Sequence, residues 1–174
     1  MCRNQLVELQ DHYDQIKKLG GEVVVLSVDD AANADSMRND FGLEFPVLYD
    51  TDHSVTTNWG LFDVLDDGVS VPATFVIRMD GSLETALVGT TVSERPTINS
   101  ILSVLEAISG MEPTSTDDHD SESNIAHSMI APNPPVIGGN VPNFDLPRAR
   151  GGNVSLNDYA GEQNVVFVFF RSWW

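Results

Sequence analysis

The stretch that decides the fold is VVFVFF at residues 165–170, which is apolar at every position. A strand with one face in water alternates polar and apolar residues, whereas a strand covered on both faces is apolar throughout. The stretch therefore predicts a strand at the centre of a buried sheet. Only Arg171-Ser172-Trp173-Trp174 follows it, so its neighbouring strands are expected to come from earlier segments or from a second chain.

A second continuous apolar run, VVVLSV at residues 23–28, predicts another strand of the same kind. It follows a predicted helix from Arg3 to Leu19, which Gly20-Gly21 ends. The apolar residues of that helix recur every three or four positions and so share one face: Leu6, Leu9, Tyr13, Ile16 and Leu19. A helix that leads directly into a buried strand is typical of α/β layering.

The clearest local signal is a β-hairpin. Residues 73–79 and 83–89 are predicted strands, and they flank Asp80-Gly81, a pair that tolerates the positive φ of tight turns. Weaker patterns predict further elements: a helix over 31–41, an edge segment over 45–50, a small hairpin around Gly151-Gly152, and a helix capped by Ser93 and ended by Gly110.

The charge of the chain limits its partners. There are 26 Asp and Glu residues against 9 Lys and Arg, so the formal net charge is −17. This charge repels nucleic acid phosphates and anionic membranes, and neither is expected as a partner. It fits either a salt-adapted protein or an ordinary acidic protein with an acidic linker. No apolar run approaches the roughly 20 residues of a membrane span and no signal peptide pattern is present, so a cytoplasmic location is expected.

Cys2 is the single cysteine of the sequence. This excludes an internal disulfide and a multi-cysteine zinc site. The acidic pairs Asp29-Asp30 and Asp66-Asp67 lack the spacing of a calcium-binding loop, so they are expected to be solvated turn residues. No glycine loop that could cradle a phosphate follows a strand. The sequence therefore predicts neither a metal nor a cofactor.

The two ends of the sequence resemble the redox loop of the alkyl hydroperoxide reductase/thiol-specific antioxidant (AhpC/TSA) family. Thioredoxin-like members of that family have the general pattern aromatic-Arg-x-x-Trp-Cys-Pro-x-Cys-Arg-x-Gln-Leu. The front of the pattern resembles Phe170-Arg171-Ser172-Trp173-Trp174, and its back resembles Met1-Cys2-Arg3-Asn4-Gln5-Leu6. Only the Cys-Pro pair between Trp174 and Met1 is missing. Residues 136–147 resemble the opening of the family.

The resemblance implies a thioredoxin-like three-layer α/β/α sandwich with a central mixed sheet, in circularly permuted order. Residues 1–110 would be the C-terminal half of the domain, and residues 136–174 the N-terminal half that completes the same sheet. Between them, residues 111–135 are polar and acidic, so they are expected to be a flexible linker. A slice across two tandem copies is the alternative origin. Exchange of half-domains between two chains, as in a homodimer, is the alternative assembly.

The segment VPATFVI at residues 71–77 resembles the thioredoxin-fold segment whose proline faces the redox cysteines. The resemblance implies a cis peptide bond before Pro72, a form that costs an X-Pro bond only about 0.5–1 kcal/mol. Val71 and Pro72 are therefore expected to shape the approach of a substrate. The alternative is a trans proline that merely begins a strand.

By this resemblance, Cys2 corresponds to the second cysteine of the family motif and, by position, to the peroxide-attacking cysteine of peroxiredoxins. A helix N-terminus favours a thiolate, because unpaired N–H groups and the helix dipole lie there. Arg3 and Arg171 are expected to add positive charge at the substrate site, and Trp173 and Trp174 to form its walls. The alternative for Cys2 is a free thiol without function.

The resemblance implies an antioxidant oxidoreductase that uses a cysteine thiolate on disulfides or hydroperoxides. Its partner would be an external thiol reductant, such as a thioredoxin or a low-molecular-weight thiol. The sequence departs from peroxiredoxins at two positions: no residue stands three before Cys2, where they have Thr, and Pro72 stands where they have Arg. The alternative is therefore a redox-inactive scaffold, or a fragment of a tandem redoxin without the first active-site cysteine.

Overall fold

The computed structural model describes residues 2–89, 91, 95–109 and 135–171. The helices in these residues are α1 (Cys2–Asp11), α2 (Tyr13–Lys18), α3 (Ala31–Asp40), α4 (Ser54–Asn58), α5 (Ile98–Ile108) and a 3₁₀ helix (Leu156–Tyr159). The strands are β1 (Gly21–Ser27), β2 (Val47–Tyr49), β3 (Ala73–Ile77), β4 (Leu83–Val88), β5 (Asp145–Pro147), β6 (Asn153–Ser155) and β7 (Asn164–Phe170). None of these helices has the length and apolar character needed to cross a membrane.

Strand β7 is the middle strand of a five-stranded sheet with the order β2-β1-β7-β3-β4. It runs parallel to β1, with Val23 beside Val166, and antiparallel to β3, with Phe75 beside Phe167. The central position predicted for residues 165–170 is therefore confirmed. The strand pairs within its own chain in this structure. A permuted order of the two halves stays a prediction.

Each face of the sheet packs against its own apolar core, because alternate residues of a strand point to opposite faces. On one face, Val23 and Val166 pack with helices α1, α2, α3 and α5. On the other face, Val24 and Phe167 pack with the region after α4, the β5–β6 hairpin and the 3₁₀ helix. The fold is thus the predicted mixed α/β fold of thioredoxin-like type. Its second outer layer consists largely of hairpin and loop.

Trp59 forms the centre of the second core. Its side chain is fully buried, and its ring centroid lies 5.0 Å from that of Phe75, 5.1 Å from that of Phe167 and 5.4 Å from that of Phe169. Aromatic pairs at such distances stabilise a core beyond the area that they bury. Phe75 belongs to β3 and the other two rings to β7, so this cluster holds the two strands together.

The single helix predicted from Arg3 to Leu19 is wrong in one respect, because it is broken at His12. This residue has φ −107° and ψ 10°, outside the helical range, and separates α1 from α2. Its ring Nδ1 donates to the carbonyl oxygen of Glu8 at 2.9 Å, while its own N–H reaches the same oxygen at 3.2 Å. The apolar face continues across the break, since Leu9 and Ile16 lie in the same core.

Helix α5 begins later than the sequence predicts, so Ser93 is wrong as its cap. Thr97 is the N-cap, and its Oγ1 accepts a hydrogen bond from the Ser100 N–H at 3.2 Å. Pro96 disfavours a helical conformation in the residue before it, which explains the later start. Ser93 itself lies outside the described residues, and so does the predicted linker apart from Pro135.

Glu22 is a buried carboxylate near the start of β1. It is 8% exposed, and its Oε1 accepts hydrogen bonds from the Tyr13 hydroxyl at 2.6 Å and from the Val23 N–H at 2.9 Å. Burial, and then the neighbouring Glu22 carboxylate, raise the pKa of Tyr13 far above its usual value. The phenol therefore remains a hydrogen-bond donor to Glu22 throughout the ordinary pH range.

Replacing Tyr13 with Phe removes this donor and leaves the buried carboxylate with the backbone bond. We expect Tyr13→Phe to lower the free energy of unfolding by about 2 kcal/mol, the scale of a hydrogen bond to a charged group. Urea denaturation near neutral pH measures the loss. Tyr49→Phe is the matched control, because the Tyr49 hydroxyl makes no hydrogen bond within the described residues. Equal stabilities of the two variants would contradict the role of the Tyr13 hydroxyl.

Candidate active site

The candidate active site lies at the edge of the sheet where the parallel strands end. Strands β2, β1 and β7 are parallel, so their carboxyl ends meet at this edge. Strand β3 runs the other way and begins here, with Ala73 beside Phe169. In open α/β sheets, ligands bind outside the carboxyl ends of the strands. The edge thus brings together the residues that follow β1, β2 and β7 and those that precede β3.

Buried polar side chains concentrate at the same edge. Seven of the buried polar residues belong to its strand ends or to the segments packed on them: Gln5, Ser27, Asp29, Asp50, Thr56, Ser70 and Thr74. Glu22 and Asn164 lie at the opposite end of the sheet. Because burying a polar group without a partner is costly, such groups form hydrogen bonds that fix the local geometry. This edge of the sheet therefore carries a layer of buried polar side chains with fixed positions.

Two hydrogen-bonded loops frame this layer. Asp50, directly after β2, accepts hydrogen bonds from the N–H and Oγ1 of Thr56 at 2.8 and 2.9 Å. At the end of β1, Ser27 Oγ donates to Asp29 Oδ2 at 2.6 Å and accepts from the Asp29 N–H at 2.9 Å. The loops are joined because the Asp50 N–H donates to the Ser27 carbonyl oxygen. The expectation that Asp29 is a solvated turn residue is therefore wrong.

Cys2 is the first residue of helix α1. The side chain of Gln5, one turn further along, donates from Nε2 to Thr74 Oγ1 in β3 at 3.3 Å, and both residues are buried. This bond anchors the first turn of α1 against the start of β3. The N–H groups of a first helical turn lack partners within the helix and favour a negative charge. The backbone at Cys2 is therefore placed where a thiolate would be stabilised.

Val71 and Pro72 lie where the sequence predicts, at the entrance to β3, and both are buried. The cis form predicted for Pro72 is wrong, since every peptide bond of the described residues is trans. The Val71 N–H donates to the Leu61 carbonyl oxygen at 2.9 Å, and the Pro72 carbonyl oxygen accepts from the Gly89 N–H at 2.8 Å. These bonds continue the pairing of β3 outward, and an extended trans path allows both of them.

Arg171 directly follows β7 and lies at this edge, as predicted. Its Nη2 donates to Asp67 Oδ2 in an ion pair, and its side chain is only 18% exposed. Its Nη1 is also buried and has no hydrogen-bond partner among the described residues. The guanidinium is thus held by one carboxylate, and the N–H groups of Nη1 remain available as hydrogen-bond donors. A planar guanidinium with free N–H groups suits recognition of a carboxylate or another oxyanion.

Asp67 is a site residue that sequence reasoning missed, because it was assigned to solvent. It belongs to a loop that leaves and rejoins the core at the Phe62–Ser70 bridge. Within this loop the Gly68 N–H donates to Asp63 Oδ1 at 2.7 Å. The ion pair could have been predicted from the strand pairing, because aligning β3 with β7 places Arg171 beside the segment that follows Asp67.

The other predicted site residues have different outcomes. Arg3 is exposed in the first turn of α1. Trp173 and Trp174 lie outside the described residues, so their role as walls of the site stays a prediction.

The sequence of the chain is similar to one protein family and to several known proteins. The AhpC/TSA family matches residues 1–86. The YkuU protein of Bacillus subtilis (strain 168) is 29% identical over 91 residues, which are 48% of this chain and 50% of the relative. Chloroplastic peroxiredoxin Q of Oryza sativa subsp. japonica is 30% identical over 83 residues, 48% of this chain and 38% of the relative. Peroxiredoxin-2 of Rattus norvegicus is 28% identical over 126 residues, 68% of this chain and 60% of the relative.

The five-stranded sheet and the helix that begins at Cys2 define a protein of thioredoxin-like fold. Its residues 1–86, just under half of the chain, match the AhpC/TSA family, which supports the thioredoxin-like fold. The chain spans half the length, or less, of the first relatives named above. The assignment of residues 136–174 to the family's opening half lies beyond the range that the family matches and stays a prediction.

Removing the ion pair between Arg171 and Asp67 tests whether it stabilises this edge of the sheet. We expect Asp67→Asn to lower the free energy of unfolding by about 1 kcal/mol, because it weakens a partly buried charge-assisted bond. It should also accelerate hydrogen exchange at the Gly68 and Val69 amides. The control is Asp66→Asn, which makes the same change of charge one residue earlier and keeps a side chain that tolerates the positive φ of that position. If both variants behave alike, net charge rather than the ion pair is responsible.

Proposed function

We propose that the protein is a thiol-dependent antioxidant oxidoreductase in which Cys2 is the nucleophile. The observation that carries the proposal is the start of α1 at Cys2, fixed to the polar edge of the sheet by the bond from Gln5 to Thr74. The family and the relatives named peroxiredoxin support the same class of chemistry. The substrate would be a hydroperoxide or a disulfide.

The reaction follows from thiolate chemistry. With a hydroperoxide, the Cys2 thiolate attacks one oxygen, the O–O bond breaks, and the leaving alkoxide takes up a proton to become an alcohol. The sulfur is oxidised to a sulfenic acid. One external thiol then forms a mixed disulfide with release of water, and a second thiol restores Cys2 as the external pair becomes a disulfide. A thioredoxin or a low-molecular-weight thiol can supply these reducing equivalents.

The neighbours of Cys2 have separate proposed roles. Val71 and Pro72 form an apolar entrance at the start of β3, and this entrance would limit the shape of the substrate. Arg171, held by Asp67, would attract an anionic substrate or stabilise the developing negative charge on oxygen. Arg3 in the first turn would add to the positive potential around the sulfur. A cytoplasmic location and the exchange of half-domains in a homodimer are further proposals that follow from the sequence.

A redox-inactive scaffold is the second candidate function. The observation in its favour is Pro72, which offers neither a charge nor a hydrogen-bond donor at the entrance to β3. The titration of Cys2 distinguishes the two candidates.

The proposal predicts a thiol pKa for Cys2 below the ordinary value of about 8.5, because the helix N-terminus stabilises the thiolate. The rate of alkylation by iodoacetamide, measured against pH, gives this pKa directly, since the chain has a single cysteine. Consumption of hydrogen peroxide with dithiothreitol as reductant is expected for the unaltered protein and should vanish in Cys2→Ser. An ordinary pKa without peroxide consumption would favour the scaffold.

The anchor of α1 can be tested separately. Gln5→Leu removes the bond to Thr74, so the first turn should fray and the pKa of Cys2 should return toward that of a free thiol. The matched control is Gln15→Leu on the exposed face of α2, which should leave the pKa unchanged. A low pKa retained in Gln5→Leu would show that the anchor does not set the reactivity of Cys2.

A further inference from the structure

A cleft lies at the opposite end of the sheet from Cys2. It is a cleft of about 230 Å³ between the β3–β4 turn, the segment before β5, the 3₁₀ helix and the start of β7. It shares no residue with the candidate active site. Ligand binding in this cleft is therefore independent of the proposed redox function.

The walls of the cleft are fixed by backbone hydrogen bonds. The Gly161 N–H donates to the Met79 carbonyl oxygen at 2.7 Å, and the Val141 N–H donates to that of Gly81 at 3.1 Å. The Met79 N–H in turn donates to the buried Asn164 Oδ1 at 3.0 Å. These bonds tie the turn to both opposing walls, so the cleft is formed before any ligand enters. A preformed site avoids the cost of ordering its walls on binding.

Side-chain amides dominate the polar lining. The amides of Asn140, Asn157 and Gln163 line the cleft and make no side-chain hydrogen bond within the described residues. Each amide offers both N–H donors and a carbonyl acceptor. Tyr159 adds a phenol, and burial raises its pKa to about 12, so it stays a neutral donor. The lining can therefore donate and accept hydrogen bonds at several neighbouring points.

The cation of the cleft lining, Arg78, is already paired, and its carboxylate, Asp80, accepts hydrogen bonds within its own turn. Arg78 Nε donates to Glu84 Oε2 at 2.6 Å, and Asp80 Oδ1 accepts from the N–H and Oγ of Ser82 at 2.9 and 2.6 Å. The formal charge of −17 further disfavours an anionic ligand. The deepest lining residues, Leu156 and Val165, are apolar and buried. The cleft thus combines an amide-rich rim, which includes the Asp80 carboxylate, with apolar lining residues.

We propose that this cleft binds a small uncharged polyhydroxylated molecule of monosaccharide size. Adjacent hydroxyl groups both donate and accept, as the side-chain amides do, and the C–H face of a sugar ring matches the apolar lining residues. Phosphorylated or otherwise anionic ligands find no unpaired cation there. The volume is below the roughly 300–1,000 Å³ of sites for drug-sized ligands, which restricts the occupant to a single ring.

Titration with D-glucose, followed by amide chemical shifts of the isotope-labelled protein, tests the proposal. We expect saturable shifts at Gly81, Asn157 and Gln163, with a dissociation constant on the order of 10 mM for so small a ligand. The double variant Asn140→Leu with Gln163→Leu should weaken binding at least about tenfold, since it removes two hydrogen-bonding groups. Asn99→Leu, on the exposed face of α5, is the matched control and should bind as the unaltered protein does.

Asn157→Leu serves as a second test, in case the double variant does not fold, and should also weaken binding. Inorganic phosphate, titrated in the same way, should cause no saturable shift in the cleft. The proposal is overturned if glucose shows no saturable binding, if phosphate binds in its place, or if the cleft variants bind glucose as tightly as Asn99→Leu does.

Discussion

The structure depends on the pairing of β7 with β1 on one side and with β3 on the other. All seven residues of β7 are buried, and the six apolar ones alternate between the two apolar cores. Without this strand, β1 and β3 would lose their shared neighbour and both cores would lose their central side chains. The hydrophobic effect therefore fixes the sheet order through a single strand. That strand also carries Arg171 to the edge where α1 begins.

Parallel strand pairing also explains why buried polar side chains are tolerated at one edge of an otherwise apolar sheet. Parallel β1 and β2 end together, so the residues at their ends converge and can satisfy each other's buried groups, as Ser27 and Asp50 do. The antiparallel β3 brings Val71 and Pro72 to the same place. At the far end of the sheet, the amino ends of β1 and β7 face the β3–β4 turn, and the amide-lined cleft forms there. The two sites thus occupy opposite ends of one rigid sheet.

Sequence patterns succeeded where the physical signal is local. Continuous apolar runs predicted β1 and β7, and Asp80-Gly81 predicted the β3–β4 hairpin, because solvent exposure and turn geometry act over a few neighbouring residues. The patterns failed at His12, where a ring nitrogen competes for a helix carbonyl. The resemblance to the thioredoxin-fold segment failed at Pro72, whose peptide bond is trans. The sequence patterns also missed the ion pair of Asp67, because its cation, Arg171, follows a strand that is distant in sequence.

The sequence by itself determined the α/β class and the buried strands, since periodicity and residue type suffice for these. The tertiary structure alone decided the contacts between distant residues. Gln5 is hydrogen-bonded to Thr74, 69 positions away, and Asp67 to Arg171, 104 positions away. No local sequence pattern encodes these contacts, because they depend on how the strands of the sheet are aligned. Strand register is set by the packing of the whole sheet, so a buried polar edge or a cleft exists only once the chain has folded.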